Sequence, residues 1–159
     1  IAGIFHDIGK IGTADDILLK NETLDDVEYE QIKKHPVTGA LILSAVSMFQ
    51  ETVPLVRHHH ERMDGRGYPD GIAGERIELG ARIIAVADAF DAMTSDRQYR
   101  THLTMEQTLE QLRTGAGTQF DPEVVHAFLA LLEEEPAMLE EARLAGEARL
   151  AEPLEPLDI

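Results

Sequence analysis

Histidines and carboxylates carry most of the chemistry open to this chain of 159 residues, which contains no cysteine. His6 and Asp7 stand side by side near its start, and His35 precedes Pro36. His58, His59 and His60 form a triplet, and Asp88 interrupts an apolar stretch. Each has a bland alternative: an isolated core histidine is usually a hydrogen-bonded structural residue, and a histidine run at a helix end can be a solvated cap. Asp88 is harder to account for in that way, because carboxylates are almost never buried without a partner or a metal. Imidazoles and carboxylates contributed by separate helices are the material of a metal site in a bundle core. Carboxylates can bridge two cations, while imidazoles hold them without adding charge. A pair of ions ~3.5–4 Å apart can polarise a phosphate and activate water at neutral pH. Donors that are all nitrogen and oxygen suit iron, manganese or zinc better than copper(I) or an iron–sulfur cluster.

The elements that must position these residues read as successive helices, without a convincing period-two stretch. Residues 1–8 look like the end of a helix, stopped by Gly9 and Gly12. Asp25 and Glu28 form a capping-box pattern that opens a helix with Tyr29 and Ile32 on one face. Past Pro36, the residues Val37, Ala40, Leu41 and Ser44 keep helical spacing. Thr52 is placed to cap a further helix, with Pro54 tolerated in its first turn and Val53, Val56, Arg57 and His60 along one side. Gly65, Gly67, Gly71, Gly74 and Pro69 break the pattern over residues 61–79, and a loop of that length is a functional candidate. A strong helix is predicted over 80–93, with Ile83, Val86, Ala87 and Phe90 at core spacing. Thr104 and Gln107 cap another that ends at Gly115, and Asp121 with Pro122 opens a last one through Leu132. The expected architecture is all-α, with residues 1–132 as the domain. Residues 133–159, rich in Glu, Ala, Leu and Arg and containing three prolines, read as an acidic helical or frayed tail.

Thirty acidic residues against fourteen basic ones leave a formal charge of −16. A surface this acidic repels nucleic-acid backbones, which argues against a polymeric nucleic-acid partner. A small anionic substrate would meet the same field, so local cations would have to override it at the site. Hydrophobic residues make up 43% of the chain, enough for a core, but aromatics only 5%, so Leu, Ile, Val, Ala and Met must build it. No apolar run approaches the ~20 residues of a membrane span. The absence of cysteine fits a cytoplasmic protein. The chain begins at Ile1, so an upstream sensory or targeting segment is expected to be missing from it.

Four motifs follow in order: HDIGK at 6–10, KHP at 34–36, HHERMDGRGYPDG at 59–71 and AVADAFDAMTSDRQYR at 85–100. Together they resemble the HD-GYP family from Ile1 to about Leu132. The HD doublet alone is shared by a large superfamily that hydrolyses many phosphate esters, whereas HDIGK with HHExxDGxGYP is specific. The resemblance implies an HD-superfamily helical bundle with a metal site in its core and a GYP loop. It implies a phosphodiesterase that hydrolyses the bacterial second messenger cyclic di-GMP to pGpG or GMP. It makes His6, Asp7, His35, His59, His60 and Asp88 the ligands of two or three divalent ions, iron or manganese, with Asp7 bridging. It puts Lys10 near the phosphate and the attacking hydroxide, and Tyr68 in the wall of the substrate cleft. Arg97 and Arg100 would grip phosphate, a role suited to guanidinium geometry. Their alternative is pairing with Asp96 or a neighbouring surface carboxylate.

Gly65, Gly67 and Gly71 are expected to serve unusual backbone dihedrals. His58, an extra histidine before the motif pair, is expected at the surface. Gln98 stands where the family usually has Pro and Met63 where Trp is frequent; neither is a ligand. In the family, helices upstream of the motifs supply another metal-binding His and, in some members, a Glu that admits a third metal. The partners implied are cyclic di-GMP, an N-terminal receiver or sensor domain, proteins docking through the GYP loop, and a second copy in a homodimer. Two other functions stay open: a sensor or docking module that binds cyclic dinucleotide without turnover, and an HD hydrolase of another nucleotide. The intact ligand set favours the enzyme.

Overall fold

The computed structural model describes residues 1–20, 22–95, 103–135 and 137. The described residues form helices joined by turns, with a single isolated β-bridge between Ala116 and Phe120. Helix α1 (Ala2–Phe5) runs into a 3₁₀ turn (Ile8–Gly12), followed by α2 (Asp15–Leu18), α3 (Asp26–Ile32) and α4 (His35–Ser44). Then come α5 (Val53–His58), α6 (Leu79–Thr94), α7 (Met105–Gly115) and α8 (Pro122–Glu134). No helix among the described residues is long and apolar enough to cross a membrane.

Side chains fix several of these starts. Asp25 Oδ1 accepts from Glu28 N at 2.8 Å while Asp25 N donates to Glu28 Oε2 at 2.8 Å, completing the box at the head of α3. Thr104 and Gln107 do the same for α7. Asp121 Oδ1 accepts from Glu123 N at the head of α8, and its Oδ2 takes the Arg82 guanidinium of α6, tying two helices together. Thr52 precedes α5 but makes no capping bond. Its backbone is already helical (φ −83°, ψ −28°), whereas a capping side chain needs extended backbone to reach the free N–H groups.

Two packed regions share α6 as their seam. On one side Val86 and Phe90 bury against Leu112, Phe120, Val125 and Leu132. On the other, α4 lies across the 3₁₀ turn and α5, burying His35, Pro36, Gly39, Ala40 and Leu43 together with Val56. Gly9 therefore does not stop a helix as expected; α1 ends earlier, at Phe5, and Gly9 lies inside the 3₁₀ turn. A Cβ there would run into the His35 carbonyl oxygen and come within 2.5 Å of Gly39 N, so only glycine lets the two segments touch.

Helix faces differ from expectation in two places. Val37 and Leu41 are exposed, and Gly39 and Leu43 take the buried side of α4. Ile83 and Ala87 of α6 are exposed, while Ala81 and Ile84 are buried. Both helices are apolar over most of their circumference, so three-and-four spacing fits either set and the neighbouring elements decide. Tyr29, placed on one face of α3 with Ile32, is half exposed. Asp96, Arg97, Gln98 and Arg100 lie outside the described residues, as does nearly all of the acidic tail.

Candidate metal centre

Helix ends do most of the positioning here. His6 terminates α1 and Asp7 follows it; His35 is the first residue of α4; His59 terminates α5 and His60 follows; Asp88 projects from the middle of α6. Donor atoms of Asp7, His35, His59 and His60 all lie within 4.8 Å of one another. His6 Nε2 lies 3.5 Å from Asp7 Oδ2 and 3.6 Å from Asp88 Oδ1, so the two carboxylates face the same imidazole. The structure thus brings all six of these residues together. Lys10 joins them by donating to Asp7 Oδ2, while Asp7 Oδ1 lies 3.2 Å from His35 Nε2.

The histidines share one local device. Nδ1 of His6, His35 and His59 is each 2.7 Å from the carbonyl oxygen three residues earlier, those of Gly3, Ile32 and Val56. A carbonyl only accepts, so each Nδ1 carries a proton. His35 and His59, kept neutral by burial, turn a lone pair on Nε2 into the cluster, while His6 turns its Nε2 toward the Asp7 and Asp88 carboxylates. His35 Nε2 and His59 Nε2 face each other at 3.3 Å. His6 Nε2 is buried with no hydrogen-bond partner among the described residues. Acceptors aimed at one another, each ring locked from behind by a carbonyl, are what a divalent cation requires of imidazole ligands.

Electrostatics agree with that arrangement. Burial pushes the His59 pKa down to about 4 and lowers those of His35 and His60, which keeps these rings neutral. His6 goes the other way, drawn upward by the Asp88 carboxylate. Burial opposes ionisation of Asp7 and Asp88, yet both stay below the usual carboxylate range. The Lys10 ammonium holds Asp7 down and His6 holds Asp88 down.

The loop between α5 and α6 is stitched onto the end of α5. Glu61 is buried, and its Oε1 accepts from Asp70 N at 2.6 Å and Gly71 N at 3.0 Å. Tyr68 N donates to His60 O, and the Tyr68–Pro69 peptide is cis. Gly65 and Gly71 have the positive φ expected of them, but Gly67 does not. Gly67 is a point of close approach: a Cβ would come within 2.5 Å of Arg62 N and Glu61 Cα. The Tyr68 ring then stacks on His60, centroids 4.8 Å apart, and burial raises its phenol pKa.

His58 is not the surface residue expected. Its Nδ1 lies 2.8 Å from Glu78 Oε2 and its Nε2 lies 3.0 Å from Asp70 Oδ2, fastening the middle and the far end of the loop to α5. The Arg57 guanidinium grips Asp70 with two bonds of 2.7 Å.

A cavity of about 600 Å³ opens beside the cluster, bounded by His60, Tyr68 and Asp88 and, on a further wall, by Tyr29, Lys33 and Arg66. Sequence reasoning passed over Glu61, Tyr29 and Lys33. Glu61 could have been found as the carboxylate immediately after the His59–His60 pair. Tyr29 and Lys33, four residues apart just ahead of His35, left only a weak signal of a shared face.

A profile of the HD domain family matches residues 1–124. The chain belongs to the HD domain family, and within it carries the HDIGK and HHERMDGRGYP motifs of the HD-GYP group. It is 44% identical over 131 residues to the cyclic di-GMP phosphodiesterase response regulator RpfG of Xanthomonas campestris pv. campestris, covering 81% of this chain and 35% of the relative. It is 38% identical over 122 residues to the 3'3'-cGAMP-specific phosphodiesterase 3 of Vibrio cholerae, covering 77% and 26%. The chain thus spans about a quarter to a third of the length of these curated relatives. In fold it is similar to the crystal structure of a cyclic GMP-AMP-specific phosphodiesterase from V. cholerae, with a TM-score of 0.62 at 21% identity over 88% of this chain and 38% of that one.

Proposed function

We propose that this protein is a metal-dependent phosphodiesterase that hydrolyses cyclic di-GMP to pGpG or onward to GMP. The observation that carries the reading is the set of inward-facing imidazole nitrogens around Asp7, opening beside a cavity of about 600 Å³. A cavity of that size is in the range that encloses a small organic ligand. His6, Asp7, His35, His59, His60 and Asp88 would hold two or three divalent ions, iron or manganese, since every donor is nitrogen or oxygen. Bound there, such ions supply the positive charge that polarises a phosphate and activates water.

The chain's own residues have distinct parts in that reaction. Asp7 directs Oδ1 toward His35 and Oδ2 toward His6 and Lys10, an arrangement suited to a bridging carboxylate. Lys10 brings a cation to the edge of the cluster, where negative charge on the phosphate grows in the transition state. Tyr68, stacked on His60, forms the cavity wall nearest the reacting phosphate. Arg97 and Arg100 are assigned to phosphate by their motif positions. Cations so placed oppose the −16 formal charge, which otherwise repels an anionic substrate.

The relative RpfG is named a response regulator, which fits regulation of this domain by an N-terminal receiver or sensor. Docking of partners on the GYP loop and homodimer formation complete the proposal. Asp7→Ala tests it: bound metal and cyclic di-GMP hydrolysis should fall together, turnover by at least about a hundredfold, as a bridging ligand is lost. Hydrolysis at the wild-type rate in Asp7→Ala would defeat the reading.

A further inference from the structure

We propose that Lys33 and Glu30 read the guanine base of the substrate, selecting it over adenine; this deepens the phosphodiesterase reading and rests on it. Lys33 Nζ lies 5.4 Å from the centroid of the Tyr68 ring and 5.7 Å from that of Tyr29, so two aromatic faces hold the ammonium at the cavity wall. Tyr68 in turn stacks on His60, which puts Lys33 one ring away from the candidate metal cluster. A base attached through ribose to a phosphate at the cluster has that wall within its reach. Tyr29 and Lys33 line the same cavity as His60 and Asp88, so no barrier separates the two positions.

The chemistry of the pair separates a base from a second phosphate. Lys33 Nζ donates to Glu30 Oε1 at 2.6 Å, which occupies one of its three donors and leaves two. A phosphate brought to Lys33 would also meet the Glu30 carboxylate and be repelled. Guanine fits instead: its O6 and N7 are adjacent acceptors for the ammonium, as in the commonest Lys and Arg contacts to this base. Its N1–H and N2–H₂ are donors that an exposed carboxylate beside the ammonium can accept. Adenine presents the N6–H₂ donor where guanine has O6, so it sets donor against donor at Lys33. Tyr29 is a positioning residue in this scheme, acting through the ammonium.

Calorimetry on the metal-loaded protein, wild type, Lys33→Met and Glu30→Gln, with cyclic di-GMP and cyclic di-AMP provides the test. Methionine keeps the aliphatic stem between the rings, and Glu30 is largely exposed, so both variants should fold. Lys33→Met should weaken cyclic di-GMP binding about ten- to a hundred-fold, the loss of a charge-assisted hydrogen bond, and reduce the preference over cyclic di-AMP by a similar factor. Glu30→Gln should reduce that preference in the same direction. An unchanged Kd for cyclic di-GMP overturns the proposal, and so does equal weakening of both dinucleotides, which would mark Lys33 as a phosphate contact. Wild type that cleaves bis(p-nitrophenyl) phosphate yet neither binds nor cleaves cyclic di-GMP would instead bring down the function reading, and base selection with it.

Discussion

His35 Nε2 and His59 Nε2 point at each other across 3.3 Å, and both rings have committed their Nδ1 protons to backbone carbonyls. Two lone pairs so placed repel unless something positive lies between or beside them. Filling the cluster with a cation should therefore stabilise the fold as a whole, because the donors come from α4, α5 and the turn after α1. Adding manganese at about 100 times its Kd to chelator-stripped protein should contribute about 2.7 kcal/mol. For a chain of this size that is a rise in Tm on the order of 5–10 °C. His59→Ala should abolish the metal-dependent rise. Scanning calorimetry with and without manganese is the check, and identical Tm values would mean that the cluster is a hydrogen-bonded network and holds no ion.

Much of this arrangement was legible in the sequence because the site is made of local pairs. His6 with Asp7, His35 with Pro36, and His59 with His60 each fall at a helix end that caps, glycines or prolines announce, so the sequence already places donors at element boundaries. What joins those boundaries was not legible. The contact between Gly9 and the His35 backbone sets the approach of two segments, yet in sequence Gly9 looks like an ordinary helix stop. Exposure of Ile83 and Leu41 depends on which neighbours cover helices that are apolar nearly all round. His58 looked superfluous because its partners, Asp70 and Glu78, are twelve and twenty residues away across a loop with no periodicity to constrain it.

Glu61 should prove the residue on which the loop depends. Its buried carboxylate accepts from two loop N–H groups, those of Asp70 and Gly71, close to the Tyr68 ring that covers His60. Glu61→Ala removes the shared acceptor of both donors; Asp70 and Gly71 are themselves exposed, so water takes up part of the loss and the net cost is about 1–3 kcal/mol. Denaturant unfolding should show a loss in that range, and amides of residues 67–71 should exchange faster than in wild type. Unchanged exchange there would mean that Asp70, through Arg57 and His58, holds the loop without help from Glu61.

The Arg57–Asp70 fork makes a prediction about acid. Arg57 and then His58 hold the Asp70 carboxyl down to about 2 in the folded protein. In the unfolded chain an aspartate titrates near about 3.9. Between these values the unfolded state binds more protons than the native one, so stability must rise with pH across that window. The fork's contribution is thus fully present above about pH 4 and is lost as pH falls through about 2. Because both side chains are about a third exposed, the total is modest and screened by salt. Asp70→Asn removes the titrating group but keeps the shape of the side chain. Urea unfolding of wild type and Asp70→Asn should therefore give a difference that is constant from about pH 7 to about pH 5 and shrinks steadily below about pH 4. Added salt should reduce the difference at neutral pH without moving the window. A difference that stays the same down to about pH 2.5 would show that the Arg57 fork does not depend on the Asp70 charge, and that the loop is held by Glu61 and the backbone alone.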